Sequence, residues 1–112
     1  MVAARFDAYK TLGFAGISST YAAVGTPWTH YMRIFCLSNT TNQNMIFSVD
    51  QVNNNFYVPA NSFKLFDITA NSIPNKDGVE CILNTQWYVK QDGATSPTSG
   101  SVFIEAIYAQ GE

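Results

Sequence analysis

Charge is what this sequence has least of. Its 112 residues carry six Lys and Arg against eight Asp and Glu, 12% in all, where an average domain has about 25%. Few charges mean little repulsion between copies and little desolvation cost when surfaces meet. The net charge of −2 offers no attraction to a phosphate backbone, and the only near-neighbour bases are Arg5 and Lys10. Nucleic acid is therefore not an expected partner. No stretch approaches the roughly 18 apolar residues of a membrane span, so no membrane is expected either. Residues 1–10 hold Arg5 and Asp7 with no apolar run behind them, which does not fit a secretory signal. The expectation is a protein that stays in the cell that makes it, or a chain already mature. Two cysteines, Cys36 and Cys81, cannot build a disulfide framework; two buried thiols are favoured over one bridge.

Histidine occurs once, as His30 beside Trp28 and Tyr31. Hydrolytic and transfer chemistry needs a base poised near neutral pH, and His30 has no Cys or carboxylate near it in sequence. No nucleophile-elbow pattern occurs. One His and two distant Cys are poor material for zinc. Asp50 and Asp67 form a conceivable carboxylate pair, but both sit at strand ends, where Asp commonly bonds to the backbone. The run 50–55 superficially resembles a calcium loop, yet Val52 stands where an oxygen ligand is required and the glycine is missing; it reads as a hairpin turn. Asn39-Thr40-Thr41 matches a glycosylation sequon and is discounted without a secretory signal. The expectation is a protein that is not an enzyme and has no metal or cofactor.

Aromatics are plentiful at 14%, with eight Phe, six Tyr and two Trp. With Thr, Ser and Asn in the polar positions, the mix suits pleated surfaces and tight turns. Strands are expected over 17–24, 30–38, 45–50, 56–58, 63–69, 79–83, 86–90 and 101–109. Turns fall at Asn39–Asn42, Asn53–Asn55, Pro59–Asn61 and Asp77-Gly78, with an exposed loop over 92–100. Residues 30–38 carry apolar side chains at both alternations, which places that strand between two layers. About eight short strands at even spacing define an all-β fold, an antiparallel two-sheet β-sandwich. A jelly roll is favoured, with an immunoglobulin-like sandwich as the alternative. The expected core is Ile34, Cys36, Phe47, Val49, Leu65, Trp87, Val89, Ile104 and Ala106.

Residues 1–16 lack strand alternation and read as an N-terminal interaction arm preceding one domain over 17–112, the alternative being that they pack across the open end of their own sandwich. Arg5, Phe6, Tyr9, Lys10, Leu12 and Phe14 are its candidate partner-contact residues. Trp28, Trp87 and Tyr88 are candidates for a sugar-stacking platform, against the commoner role of Trp in a core or interface.

Several runs carry a family resemblance: Leu37-Ser38-Asn39-Thr40-Thr41, Phe47-Ser48-Val49-Asp50, Tyr57-Val58-Pro59-Ala60, Asp67-Ile68-Thr69-Ala70-Asn71, Gln86-Trp87-Tyr88-Val89-Lys90 and Pro97-Thr98-Ser99-Gly100-Ser101-Val102. From Leu37 to Tyr108 the chain resembles small virion proteins of tailed phages, and in particular the decoration, or cement, proteins of short-tailed phages. The resemblance implies a structural protein, made in the host cytoplasm, that binds the outside of the capsid and staples neighbouring capsomers. Its partners would be the major capsid protein and a second copy in a homodimer. It extends also to neck and tail components. The other reading, from the aromatics, is a small lectin-like carbohydrate-binding module.

Overall fold

The computed structural model describes residues 3–67 and 84–110. The expected strand at 79–83, the Asp77-Gly78 turn and Cys81 lie outside these residues. The described strands are β1 (Ala3–Phe6), β2 (Lys10–Gly13), β3 (Ala22–Val24), β4 (Met32–Asn39), β5 (Met45–Ser48), β6 (Phe56–Val58), β7 (Ser62–Asp67), β8 (Trp87–Gln91) and β9 (Ser101–Gln110), with one 3₁₀ turn at Phe14–Gly16. They form two antiparallel sheets packed as a sandwich. One has the order β1-β9-β4-β7, with β2 also on β9; the other has the order β3-β8-β5-β6.

Alternation of side chains puts Val102, Ile104 and Ala106 of β9 inside. Trp87 and Val89 of β8, Phe47 of β5 and Val58 of β6 face them. Trp28 lies at the centre, edge-on to Phe35 and to Trp87, each with ring centroids 5.7 Å apart. Such tilted contacts match the ring quadrupoles and add to the area buried.

Four of the expected core residues lie elsewhere. In β4 the pairing with β9 slips between Met32 and Ile34. A bulge of this kind inserts a residue and reverses the alternation. Met32 therefore shares the inner face with Phe35 and Leu37, and Ile34 and Cys36 turn outward, half-buried. In β7, Phe66 stands opposite Phe35, with ring centroids 5.0 Å apart, and Leu65 stands opposite Cys36. Leu65 is consequently exposed. Val49 follows the end of β5, where the chain turns outward, and it is exposed too.

Residues 3–13 are not an arm apart from the sandwich. β1 pairs Ala3–Phe6 with Gln110–Ile107, and β2 pairs Lys10–Gly13 with Ile104–Ser101. The reason is the length of β9: ten residues with one edge on β4 leave a long edge of unpaired amides and carbonyls, which the first two strands cover. Of the strand expected at 17–24, only Ala22–Val24 pairs; Ser18 Oγ accepts from the Thr20 amide and makes a turn instead. The 92–100 loop is likewise held, because Asn42 Oδ1 accepts from the Thr98 amide and Pro97 is buried.

A first prediction follows from the revised faces. Ile104→Ala should cost about 2–5 kcal/mol through lost transfer energy and a cavity. Ile34→Ala, on a half-buried outer position, should cost about 1 kcal/mol. Urea denaturation of the two variants checks this; equal losses would mean that the outer face is covered in solution.

Candidate interaction face

The register across the five-stranded sheet fixes which side chains share its outer face. One row runs Thr11, Phe103, Ser38, Phe63; the next Glu105, Cys36, Leu65; the third Phe6, Ile107, Ile34, Asp67. A sheet packed on one side normally turns polar residues outward. Here most outward positions are apolar. Phe6 is 78% exposed, Phe63 67%, Leu65 63% and Tyr9 62%. Tyr9 leans over Phe103, ring centroids 5.8 Å apart. A contiguous apolar surface of this kind marks an interaction site in soluble proteins.

Within the face lies a hollow of about 300 Å³ lined by Phe6, Asp7, Tyr9, Ile34, Phe35, Cys36, Leu65, Glu105, Ala106 and Ile107. Its origin is the break between β1 and β2. Residues 7–9 step from one stretch of β9 to the other, tied by the Asp7 amide donating to the Ala106 carbonyl at 3.0 Å and by Tyr9 against Phe103. Phe35 and Ala106 point into the core, so they give the hollow a backbone floor. Two of the lining residues are acidic, Asp7 and Glu105, and none of the described lining residues is Lys, Arg or His. Cys36 is a free thiol with Sγ 3.7 Å from Ser38 Oγ.

Of the six candidate contact residues, Phe6 and Tyr9 belong to this face. Arg5 alternates with Phe6 along β1 and so lies off it. Lys10 turns the other way: its Nζ donates to Thr26 Oγ1 at 3.4 Å. Leu12 packs against the core. Phe14 sits in the 3₁₀ turn, partly exposed. Phe63, Ile107 and Glu105 are not singled out from the sequence, and Ile34 and Leu65 are expected there in the core rather than on a contact face. Their signal was present in β4 and β9, which carry apolar residues at both alternations; the sandwich uses one face of each, and no second layer covers the other among the described residues.

The remaining candidates do not assemble into a site. His30 is exposed and stacks flat on Tyr108, centroids 3.8 Å apart. Asp67 ends β7 in the first sheet, and Asp50 lies in the turn that follows β5 of the second. Asp50 organises its own turn: Oδ1 accepts from the amides of Asn53 at 2.8 Å and Val52 at 2.9 Å and from Ser48 Oγ at 2.9 Å, and Oδ2 accepts from Asn53 Nδ2 at 2.8 Å. These bonds, led by that of the Asn53 amide, hold its carboxyl well below the usual carboxylate range. The turn keeps them above that range and loses them only as pH falls far enough to protonate the folded carboxylate. No group of three His, Cys, Asp or Glu able to hold a metal occurs among the described residues. Trp28 and Trp87 are buried, at 1% and 2% exposure, so the proposed sugar platform loses both indoles and keeps only Tyr88. Asn39, the sequon residue, is fully buried and its Nδ2 is shared among three carbonyls; no glycan can be built on it in the folded chain. No described helix is long and apolar enough to cross a membrane.

No family model, no curated protein and no solved structure matches this chain.

Proposed function

We propose that the protein is a structural virion component that binds the outside of a phage capsid and staples neighbouring capsomers, with the outer face of the five-stranded sheet laid against the shell. The observation that supports this reading most is the set of exposed Phe6, Tyr9, Phe63 and Leu65 on one sheet face. A shell presents many copies of one seam, so contacts that are weak singly add through multivalency. Low overall charge keeps the desolvation cost of such a contact small. Pairing of two copies, which the resemblance also implies, is part of the same proposal. No catalytic role is proposed.

The double variant Phe63→Thr, Leu65→Thr tests the reading. Threonine suits an exposed strand, so the melting temperature should hold within a few degrees. Co-sedimentation with expanded heads should fall at least about tenfold, the loss of about 1.4 kcal/mol or more per bound copy. Undiminished co-sedimentation of a folded variant would overturn the proposal.

A further inference from the structure

We infer that the hollow beside β9 takes the side chain of a lysine or arginine from the partner that covers this face. The inference rests on the docking reading above and adds the chemistry of the contact. At about 300 Å³ the hollow lies at the lower limit of small-molecule cavities. It is also open to solvent along the sheet face, so one long side chain fits it better than a cofactor.

Its lining asks for two different things. Phe6, Ile34 and Ile107 offer apolar surface, while Asp7 and Glu105 bring two acidic residues to the lining. No ion pair to either carboxylate forms among the described residues. A purely apolar partner would strip water from both carboxylates and replace it with nothing, which opposes binding. An anionic partner would be repelled outright. A lysine or arginine satisfies both halves, because its methylene stem lies along apolar walls while the charged head stays beside the carboxylates. The ring of Tyr9, which also lines the hollow, adds a face for the cation.

A second copy of the chain is the wrong occupant. The outward positions paired in register supply Glu105 at the centre of the face and no Lys or Arg among the described residues. Two such faces set together would bring like charges into a dry interface, which costs rather than stabilises.

The test titrates the intact protein with hexylguanidinium, hexylammonium and 1-hexanol, followed by the NMR signals of Ile34 and Ile107. Both cations should give saturable shifts, with hexanol at least about fivefold weaker, the size expected of a partly exposed ion pair. Glu105→Gln should weaken the cations by about the same factor and leave hexanol unchanged. Equal affinity for hexanol and the cations, a Glu105→Gln variant that binds the cations as before, or no saturable binding of either cation would each overturn the inference. Co-sedimentation with heads separates it from the docking reading. If Phe63→Thr, Leu65→Thr releases the protein and Glu105→Gln does not, the face docks without a cation in the hollow. If neither variant changes co-sedimentation, the docking reading itself fails.

Discussion

Asn39→Ala should be among the most damaging single substitutions in this protein, lowering its stability by about 3–5 kcal/mol. The side chain is fully buried at the end of β4 and uses every polar atom it has. Its Nδ2 donates to the carbonyls of Gln43 at 2.8 Å, Val58 at 3.1 Å and Pro59 at 3.1 Å. Its Oδ1 accepts from the Thr41 amide at 2.9 Å and from Thr41 Oγ1 at 2.6 Å. One side chain thus joins the end of β4, in the first sheet, to the loop before β5 and to the end of β6, in the second. Truncation would leave several buried groups without partners, and each such group costs about 1–3 kcal/mol. The sum approaches a large share of the roughly 5–15 kcal/mol that holds a domain together. Asn39→Asp should do no better: it keeps the acceptor half, loses the donors and buries a charge among carbonyls. Chemical denaturation measures both. A midpoint for Asn39→Ala within about 1 kcal/mol of the parent would show that water can enter and replace the side chain.

The second large effect is expected of Gly100→Ala. Gly100 has φ +83, in the left-handed region, where a residue with a Cβ loses about 1–2 kcal/mol. Space is the harder limit. A Cβ there would stand 2.2 Å from the Thr40 carbonyl oxygen, 2.6 Å from its carbon and 2.8 Å from the Thr41 Cα. All three are backbone atoms, so no rotamer can give way. Thr40 and Ser101 are joined at this point by three bonds: the Thr40 amide and Oγ1 both donate to the Ser101 carbonyl at 2.9 Å, and the Ser101 amide donates to Thr40 Oγ1 at 3.0 Å. Making room would open this clamp between β4 and β9, for a total of about 3–5 kcal/mol when the overpacking term is added. Gly93 is the control. It also has a positive φ, +100, but its Cβ would meet nothing within 4 Å, so Gly93→Ala should cost only the conformational term of about 1–2 kcal/mol. Equal midpoints for the two alanine variants would reject the steric argument. Asn39 and Gly100 both bear on Thr40 and Thr41, so their effects should fall short of additive in the double variant.

Both residues belong to runs that carry the family resemblance, Leu37–Thr41 and Pro97–Val102. The structure gives those runs a mechanical task at the junction of β4 and β9. Motifs of this sort report how the sandwich is closed more directly than what it binds.

The strands themselves were legible where alternation is unambiguous. β9 alternates Val102, Ile104 and Ala106 against Phe103, Glu105 and Ile107, and the charge of Glu105 on the second set is what picks out the first as the inner face. β8 behaves likewise through Trp87 and Val89. Phase failed where apolar residues occupy both alternations. Phe63, Leu65, Phe66 and Ile68 do not choose a face by themselves; the pairing of Phe66 with Phe35 across β4 does. A bulge such as the one after Met32 leaves no mark in the sequence. The N-terminal strands escaped notice for another reason. Their partner is β9, almost the whole chain away, and Ala3–Phe6 and Lys10–Gly13 are too short and mixed to alternate visibly. The candidate face inherited these errors. Phe6 and Tyr9 stand out in the sequence as loosely spaced aromatics, while alternation alone points Ile34 and Leu65 to the core.

The pairing of residues 3–6 with residues 107–110 also governs when this sheet can form. β9 lies between β4 and the two first strands, so β1 and β2 have no hydrogen-bonding partner until the ribosome has made β9. Early-made β4 and β7 can pair meanwhile, but they wait with an open edge. Closure over so long a sequence separation is slow, and an open strand edge is a template for a neighbouring chain. Synthesis rate and chaperone supply, rather than the stability of the finished sandwich, should therefore set how much of this protein is recovered soluble.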